Sequence, residues 1–455
     1  MGSHEKFVII GAGSAMFTRG LVSDLMASEQ ECEVALVDID PQALKTAEQL
    51  VGKMIAAKNA PIRLSASVDR KNVLKGATVV ITTIGVGKRR AWEQDVFVPR
   101  KYGIYMPVGD TVGPGGTSRA LRMIPDMVDI ARDVIDLAPD ALFFNYANPM
   151  SAVCRGVIKA TGVKMTGLCH GVIDTARWLS RLLEVPLASL SYNAVGINHL
   201  TWFTEMRVDG QDAMPRLHAV ADEVLARLAE AQAAHQAGAP MPHNGSPFES
   251  SMKYPYSWQC LKWFNAFPAP LDRHVCEFFP QFFREGSYYG KTLGVDEYSF
   301  EGTIAVGDAI YAQMTEDAAS PEPLAPDYFQ RAGGEHEQVI EIIHSIRANT
   351  AHLYSANLPN KGQVPNLPMD AVVEAPAVSD SRGLHAVNVP PLTTAVAGTL
   401  ATRFAWVETV VEAALERSRD KFIQALILDG AVQSPDTAVA LADDLLQAQA
   451  AYLRW

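Results

Sequence analysis

The sequence predicts an open, doubly wound parallel α/β sheet followed by a larger mixed, mainly helical α+β domain. Three observations predict it. First, the apolar run "KFVII" leads into the turn "GAGS" and then a helix-like stretch to Ala27. Second, a further apolar strand, "CEVALVDID", follows about 20 residues after that turn and ends in an acid, the spacing of a Rossmann-like mononucleotide unit. Third, "ATVVITTIG" and "DALFFNYANP" are apolar runs that stop in glycine or polar residues, as strands covered on both faces do. With 455 residues, the chain is too long for one ordinary domain. We divide it at residues 1–195 and 196–455.

Each element follows from local chemistry. Gly11 and Gly13 allow a tight turn and close approach of another backbone. Ser14, Met16 and Phe17 then open a helix whose N-terminus faces whatever the turn holds, and a pyrophosphate suits it. Met16 occupies the place where the fingerprint usually has its third glycine. Asp38 closes the second strand, where a carboxylate accepts from a ribose 2′-OH and repels a 2′-phosphate, so NAD is expected over NADP. "PQALKTAEQLVGKMI" and "RALRMIPDMVDIARDVI" repeat apolar residues at helical spacing and would cover the sheet. In the second half, "MPRLHAVADEVLARLAEAQAAHQ", "EHEQVIEIIHSIRAN" and two stretches after Leu400 are also helical. The aromatic- and proline-rich segment from His243 to Phe283 is expected to be a long irregular loop of the kind that serves as a lid.

Composition narrows the function classes. The chain is 48% hydrophobic and 20% charged, with a net charge of −12. That balance fits a globular protein and argues against nucleic-acid or anionic-membrane partners. No apolar run reaches bilayer length and no secretory h-region is seen. The cysteines (Cys32, Cys154, Cys169, Cys260 and Cys276) are odd in number and scattered. A reduced, cytoplasmic setting is expected. One of them stands in "GLCHGV", and thirty residues later "AVGINHLTWF" supplies Asn198 and His199. A thiolate and an imidazole suit a borderline transition metal, and two protein ligands leave room for substrate oxygens. By composition alone, Cys169 and His199 are more readily core residues than metal ligands.

The chain resembles the NAD-dependent glycoside hydrolases of family 4, or a sister family sharing their mechanism such as NAD-dependent sulfoquinovosidases. The likeness runs through "IIGAGSAMFTRGLVSDL", "GDTVGPGGTSRALRMIP", "NYANPMSAV", "GLCHGV", "VGINHLTWF", "DRHVCEFFPQFF" and "NLPNKGQVPNLPMDAVVE". The resemblance implies glycosidic cleavage by transient oxidation at C3 of the sugar, loss of the C2 proton, elimination at C1, addition of water and re-reduction. It implies NAD and a divalent metal, manganese first, and a homodimer or homotetramer acting on a small-molecule glycoside. Cys169 and His199 would be the metal ligands. His170, placed where phospho-glycosidases of the family often carry Asp or Asn, would protonate the leaving oxygen, and its side chain suits an unphosphorylated α-glycoside. Asp272 would remove the C2 proton, with Tyr254, Tyr256 and His274 as competitors. Asp110 would stand near the nicotinamide and sugar, with Gly113, Gly115 and Gly116 giving the cofactor close backbone approach. Asn148 would touch both cofactor and sugar hydroxyls, and Asn198 would be a second sugar contact.

Lys88, Arg89 and Arg90 crowd "IGVGKRRAWEQD" just after a strand. Arg90 aligns with a family substrate contact, and Lys88 and Arg89 beside it suggest an anionic C6 substituent. Arg273 and His274 could join them, since a guanidinium fork grips carboxylates and sulfonates. A hexuronide or sulfoquinovoside is thus slightly preferred over a neutral hexoside. The alternative is a malate- or lactate-type dehydrogenase, which shares the nucleotide domain.

Overall fold

The computed structural model describes residues 5–14, 17–238, 253–329 and 338–455. Six strands carry out the predicted parallel sheet: β1 (Glu5–Ile10), β2 (Cys32–Val37), β3 (Ile62–Ser67), β4 (Val79–Thr82), β5 (Leu142–Asn145) and β6 (Thr166–Gly167). They lie in the order β3-β2-β1-β4-β5-β6, the doubly wound order whose switch point falls between β1 and β4. Strand β1 shows why the run is apolar throughout. Val8 and Ile10 enter one core with Leu121 and Ile124, while Phe7 and Ile9 enter another with Leu21, Leu50 and Ile343.

The sheet does not end with the nucleotide unit. Further strands are β7 (Leu190–Ile197), β8 (Leu200–Val208), β9 (Gln211–Asp212), β10 (Phe267–Ala269), β11 (Ser287–Tyr288), β12 (Lys291–Thr292), β13 (Leu353–Pro359), β14 (Val372–Asp380) and β15 (Gly383–Ala386). An antiparallel series β13-β14-β7-β8-β10 continues from β6, with β9 and β15 on its flank and β11 and β12 as a separate hairpin. The strand order therefore draws second-half strands directly against the first half.

Helices cover both faces. Helix Pro41–Lys58 starts at Asp40, whose carboxylate accepts from Gln42 N and Ala43 N at 2.9 and 3.2 Å, a cap for orphan donors of its first turn. Helix Gly113–Leu137 packs beneath helix Thr394–Glu416, and Trp406 donates to Thr117 Oγ1 at 3.0 Å. Phe404, Val407 and Val410 from that helix are buried, worth about 1.5–3 kcal/mol each.

Two expectations need correction. The described part of the aromatic segment, from Lys253 onward, is not an open irregular loop. It forms helix Pro255–Phe264, β10 and short helical turns, with Tyr256, Trp258, Cys260 and Phe267 all buried. Its aromatics pack on one another (Tyr256 and Phe283 lie 4.8 Å apart, edge to face), so they build core rather than a lid. The end of the chain folds as three helices, Thr394–Glu416, Arg419–Asp429 and Pro435–Ala448, rather than two.

Candidate active site

The carboxyl ends of β1, β4, β5 and β6 converge. After β1, Gly11 has φ +95°, and a Cβ there would lie 2.8 Å from the backbone N of Ile84; no side chain fits. Gly13 N donates to Asp38 Oδ2 at 2.8 Å, and Asp38 Oδ1 accepts from Asp40 N at 2.9 Å. The acid is thus held against the glycine turn, with lone pairs left for ribose hydroxyls. Ser14 N closes the turn on Gly11 O at 3.0 Å, and the Phe17 ring lies tilted against that of Tyr146, beyond β5, with centroids 5.5 Å apart. Met16 lies outside the described residues.

The loop Gly109–Gly116 is pinned from two sides by buried carboxylates. Glu277 accepts from Val108 N and Gly109 N, both at 2.8 Å, and burial pushes its carboxyl up to about 8. Asp429, paired with Arg403, accepts from Gly113 N at 2.9 Å. Between these anchors stands Asp110. Its Oδ2 accepts from Asn148 Nδ2 at 2.8 Å and its Oδ1 from Thr111 Oγ1 at 2.7 Å. Asn148 is itself fixed, its carbonyl accepting from Arg119 Nε at 3.0 Å.

His199 comes from the other half. It sits at the tip of the β7–β8 hairpin with φ +68°, an uncommon backbone state for a side-chain-bearing residue. Its Nδ1 lies 2.7 Å from Thr111 Oγ1, and its ring is 4.0 Å from that of His274. Burial pushes the His199 imidazole down to about 4 despite the pull of Asp110, and drives His274 well below its ordinary value. Two neutral imidazoles beside a carboxylate are donors that suit a divalent cation. The ligand atoms of Asp110, His199 and His274 all lie within 4.8 Å of one another. Cys169, the other predicted ligand, is not one of that group. Its sulfur accepts from Gly171 N at 3.3 Å, and Gly171 fits between that sulfur and Pro270. His170 precedes helix Gly171–Leu182, half exposed, with Nδ1 2.7 Å from Asp174 Oδ2. Together with Tyr146, Leu168, Gln338, Ile342 and Ser355, Cys169 and His170 line a shallow depression.

Three expected roles do not survive the geometry. Asp272 is fully buried, and its oxygens accept from Tyr256 N, Ser257 N, Ser257 Oγ and Tyr288 Oη at 2.8, 2.8, 2.5 and 2.7 Å. A carboxylate engaged by four donors anchors the start of helix Pro255–Phe264; it does not face a C–H bond. Asn198 is also fully buried, donating to Glu374 Oε2 at 3.3 Å, so it supports the hairpin rather than meeting a sugar. Lys88 is paired with Asp40, while Arg89 and Arg90 both reach Asp308 at 2.5 Å. The cations are taken up by acids of the chain itself and form no open anion cluster. Arg273 differs: it donates to Thr303 Oγ1 at 3.0 Å, its buried Nε has no partner, and it has no carboxylate within ion-pair distance among the described residues.

Sequence reasoning missed Thr111, Glu277 and Glu374. Thr111 was signalled only by standing next to Asp110 in "GDTVGPGG".

The fold is of the dinucleotide-binding α/β type, and its two halves bring Asp110, His199 and His274 together. The model of "Family 4 glycosyl hydrolase" matches residues 6–185, and that of its C-terminal domain matches residues 194–432. An alpha-glucosidase of Erwinia rhapontici is 30% identical over 99% of this chain and 99% of its own length. An alpha-galacturonidase of Bacillus subtilis is 30% identical over 97% of each. The solved 6-phospho-beta glucosidase of Thermotoga maritima, bound to manganese, NAD+ and glucose-6-phosphate, has TM-score 0.77 at 19% identity and covers 98% of this chain and 99% of that one. The chain belongs to family 4 of the glycosyl hydrolases. The dehydrogenase alternative is thereby set aside. Among the described residues, no helix is long and apolar enough to cross a membrane.

Proposed function

We propose that this chain cleaves α-glycosides of unphosphorylated hexoses with NAD and a divalent metal, manganese first, and prefers sugars acidic at C6. The observation that carries the reading is the Asp110, His199 and His274 group, in a chain that also carries the Gly11–Asp38 nucleotide turn. When bound, NAD would accept hydride from C3 and the metal would stabilise negative charge on the neighbouring sugar oxygens.

The chain's own side chains then have distinct tasks. Gly11, Gly13 and Asp38 hold the dinucleotide, Gly11 by leaving space and Asp38 by accepting from ribose. His199, His274 and Asp110 are the groups that would hold the metal, and Cys169, outside that group, is proposed as a further thiolate ligand from the turn before helix Gly171–Leu182. Asn148 and Asp110, locked to each other, orient sugar hydroxyls. His170 gives and recovers the proton of the leaving oxygen, with Asp174 fixing its ring. With both its oxygens engaged by four donors, Asp272 is not the C2 base.

Arg273 supports the acidic-sugar preference, as a cation next to His274 in the chain with no acid partner among the described residues. Both the neutral and the acidic hexosides are represented among the relatives at 30% identity. Kinetics on matched p-nitrophenyl α-galactoside, α-glucoside and α-galacturonide test this. The expected result is higher kcat/KM on the acidic sugar, lost in Arg273→Gln while Lys88→Ala leaves it intact. Preference for a neutral sugar in the wild type would overturn the anionic reading.

A further inference from the structure

Thr111 is buried, and its hydroxyl oxygen is 2.7 Å from both Asp110 Oδ1 and His199 Nδ1. A hydroxyl has one proton to give. Thr111 Oγ1 donates to Asp110 Oδ1, and the other oxygen of Asp110 accepts from Asn148 Nδ2. The Thr111 proton therefore goes to Asp110, and at His199 the hydroxyl oxygen must accept. Nδ1 of His199 is then the nitrogen that carries hydrogen, and the ring's lone pair is on Nε2. A histidine that ligates a metal generally donates its other N–H to a fixed acceptor, which sets its tautomer and aim.

We propose that Thr111 is a positioning residue for metal binding, its hydroxyl locking His199 in the Nδ1–H tautomer so that Nε2 is the nitrogen offered to a divalent cation. The chain Asn148–Asp110–Thr111–His199 thus ties the sugar-side loops of the first half to the hairpin tip of the second. The inference rests on the metal reading above, and its test separates the two.

The full-length protein, stripped of metal and tested without substrate, is titrated with Mn2+ by following the free-ion electron paramagnetic resonance signal. Thr111→Val, which keeps the shape and removes the hydroxyl, is expected to weaken Mn2+ binding by about 10- to 100-fold, the usual effect of losing an outer-shell partner. Thr111→Ser, which keeps the hydroxyl, is expected to restore affinity close to wild type. NAD+ affinity, measured in the same samples, reports whether the nucleotide half is intact and is expected to be unchanged; should Thr111→Val lose it, Thr111→Ala carries the same test. Wild-type affinity in Thr111→Val would overturn the role of Thr111 and leave the metal reading standing. A wild-type protein that does not bind Mn2+ would overturn the metal reading and this inference with it. Equal weakening in Thr111→Ser and Thr111→Val would show a packing effect and overturn the hydroxyl relay.

Discussion

Replacing Asp272 by Asn separates an anchoring carboxylate from a catalytic base. The substitution keeps size and shape but leaves one acceptor oxygen where there were two. In the structure each carboxylate oxygen serves one backbone N–H and one hydroxyl: Ser257 N and Oγ on Oδ1, Tyr256 N and Tyr288 Oη on Oδ2. Whichever way the amide turns, its NH2 meets a backbone N–H. The hydroxyl on that side can rotate to accept, but the N–H cannot. A buried donor left without an acceptor costs about 1–3 kcal/mol, and the neighbouring bond is weakened too, so Asp272→Asn should destabilise by about 2–4 kcal/mol. The assay is thermal unfolding of both proteins without ligands, with turnover measured in parallel. A fall in Tm of several degrees is expected. An unchanged Tm with turnover abolished would refute the argument and return Asp272 to the role of C2 base.

Three other perturbations follow from the same geometry. The neutral, buried His199 has its folded-state value lowered from 6.5 to about 4, so the folded chain binds fewer protons than the unfolded chain in that window. Its contribution is fully present above pH 6.5 and is lost as pH falls toward 4, an effect of about 3 kcal/mol; His199→Gln should flatten the acid limb of a Tm-versus-pH profile. Gly11→Ala forces a side chain into a backbone with φ +95° and a wall 2.8 Å away, so both Tm and NAD+ affinity should drop. Asp38→Ser removes the charge that repels a 2′-phosphate, and the ratio of NADP+ to NAD+ affinity should rise in a fluorescence titration.

The nucleotide half was legible because its signals are local. The turn at Gly11, the acid at Asp38 and the apolar runs of β1, β2 and β4 each declare a backbone need within a few residues. The antiparallel extension was not legible, since β13 and β14 reach the sheet from residues 353–380 to pair beside β6 and β7. Charge partners were equally hidden. Nothing near Arg90 in the sequence announces Asp308, and only the folded chain brings helix Phe300–Ala319 across to neutralise it. Asp272 misled for a related reason: an acid in a family motif reads as reactive until Ser257 and Tyr288 are seen to occupy it. His199 was found by its motif, whereas the hydroxyl that orients it comes from Thr111, on a loop of the other half.

The most direct test of the central claim is to run the reaction in D2O with NAD+ and Mn2+ on a panel of α-glycosides and read the released sugar by NMR. Removal and return of the C2 proton predicts deuterium at C2 of the product. Release of sugar with hydrogen retained at C2, in an enzyme whose Cys169→Ser variant keeps full activity, would contradict the oxidoreductive account.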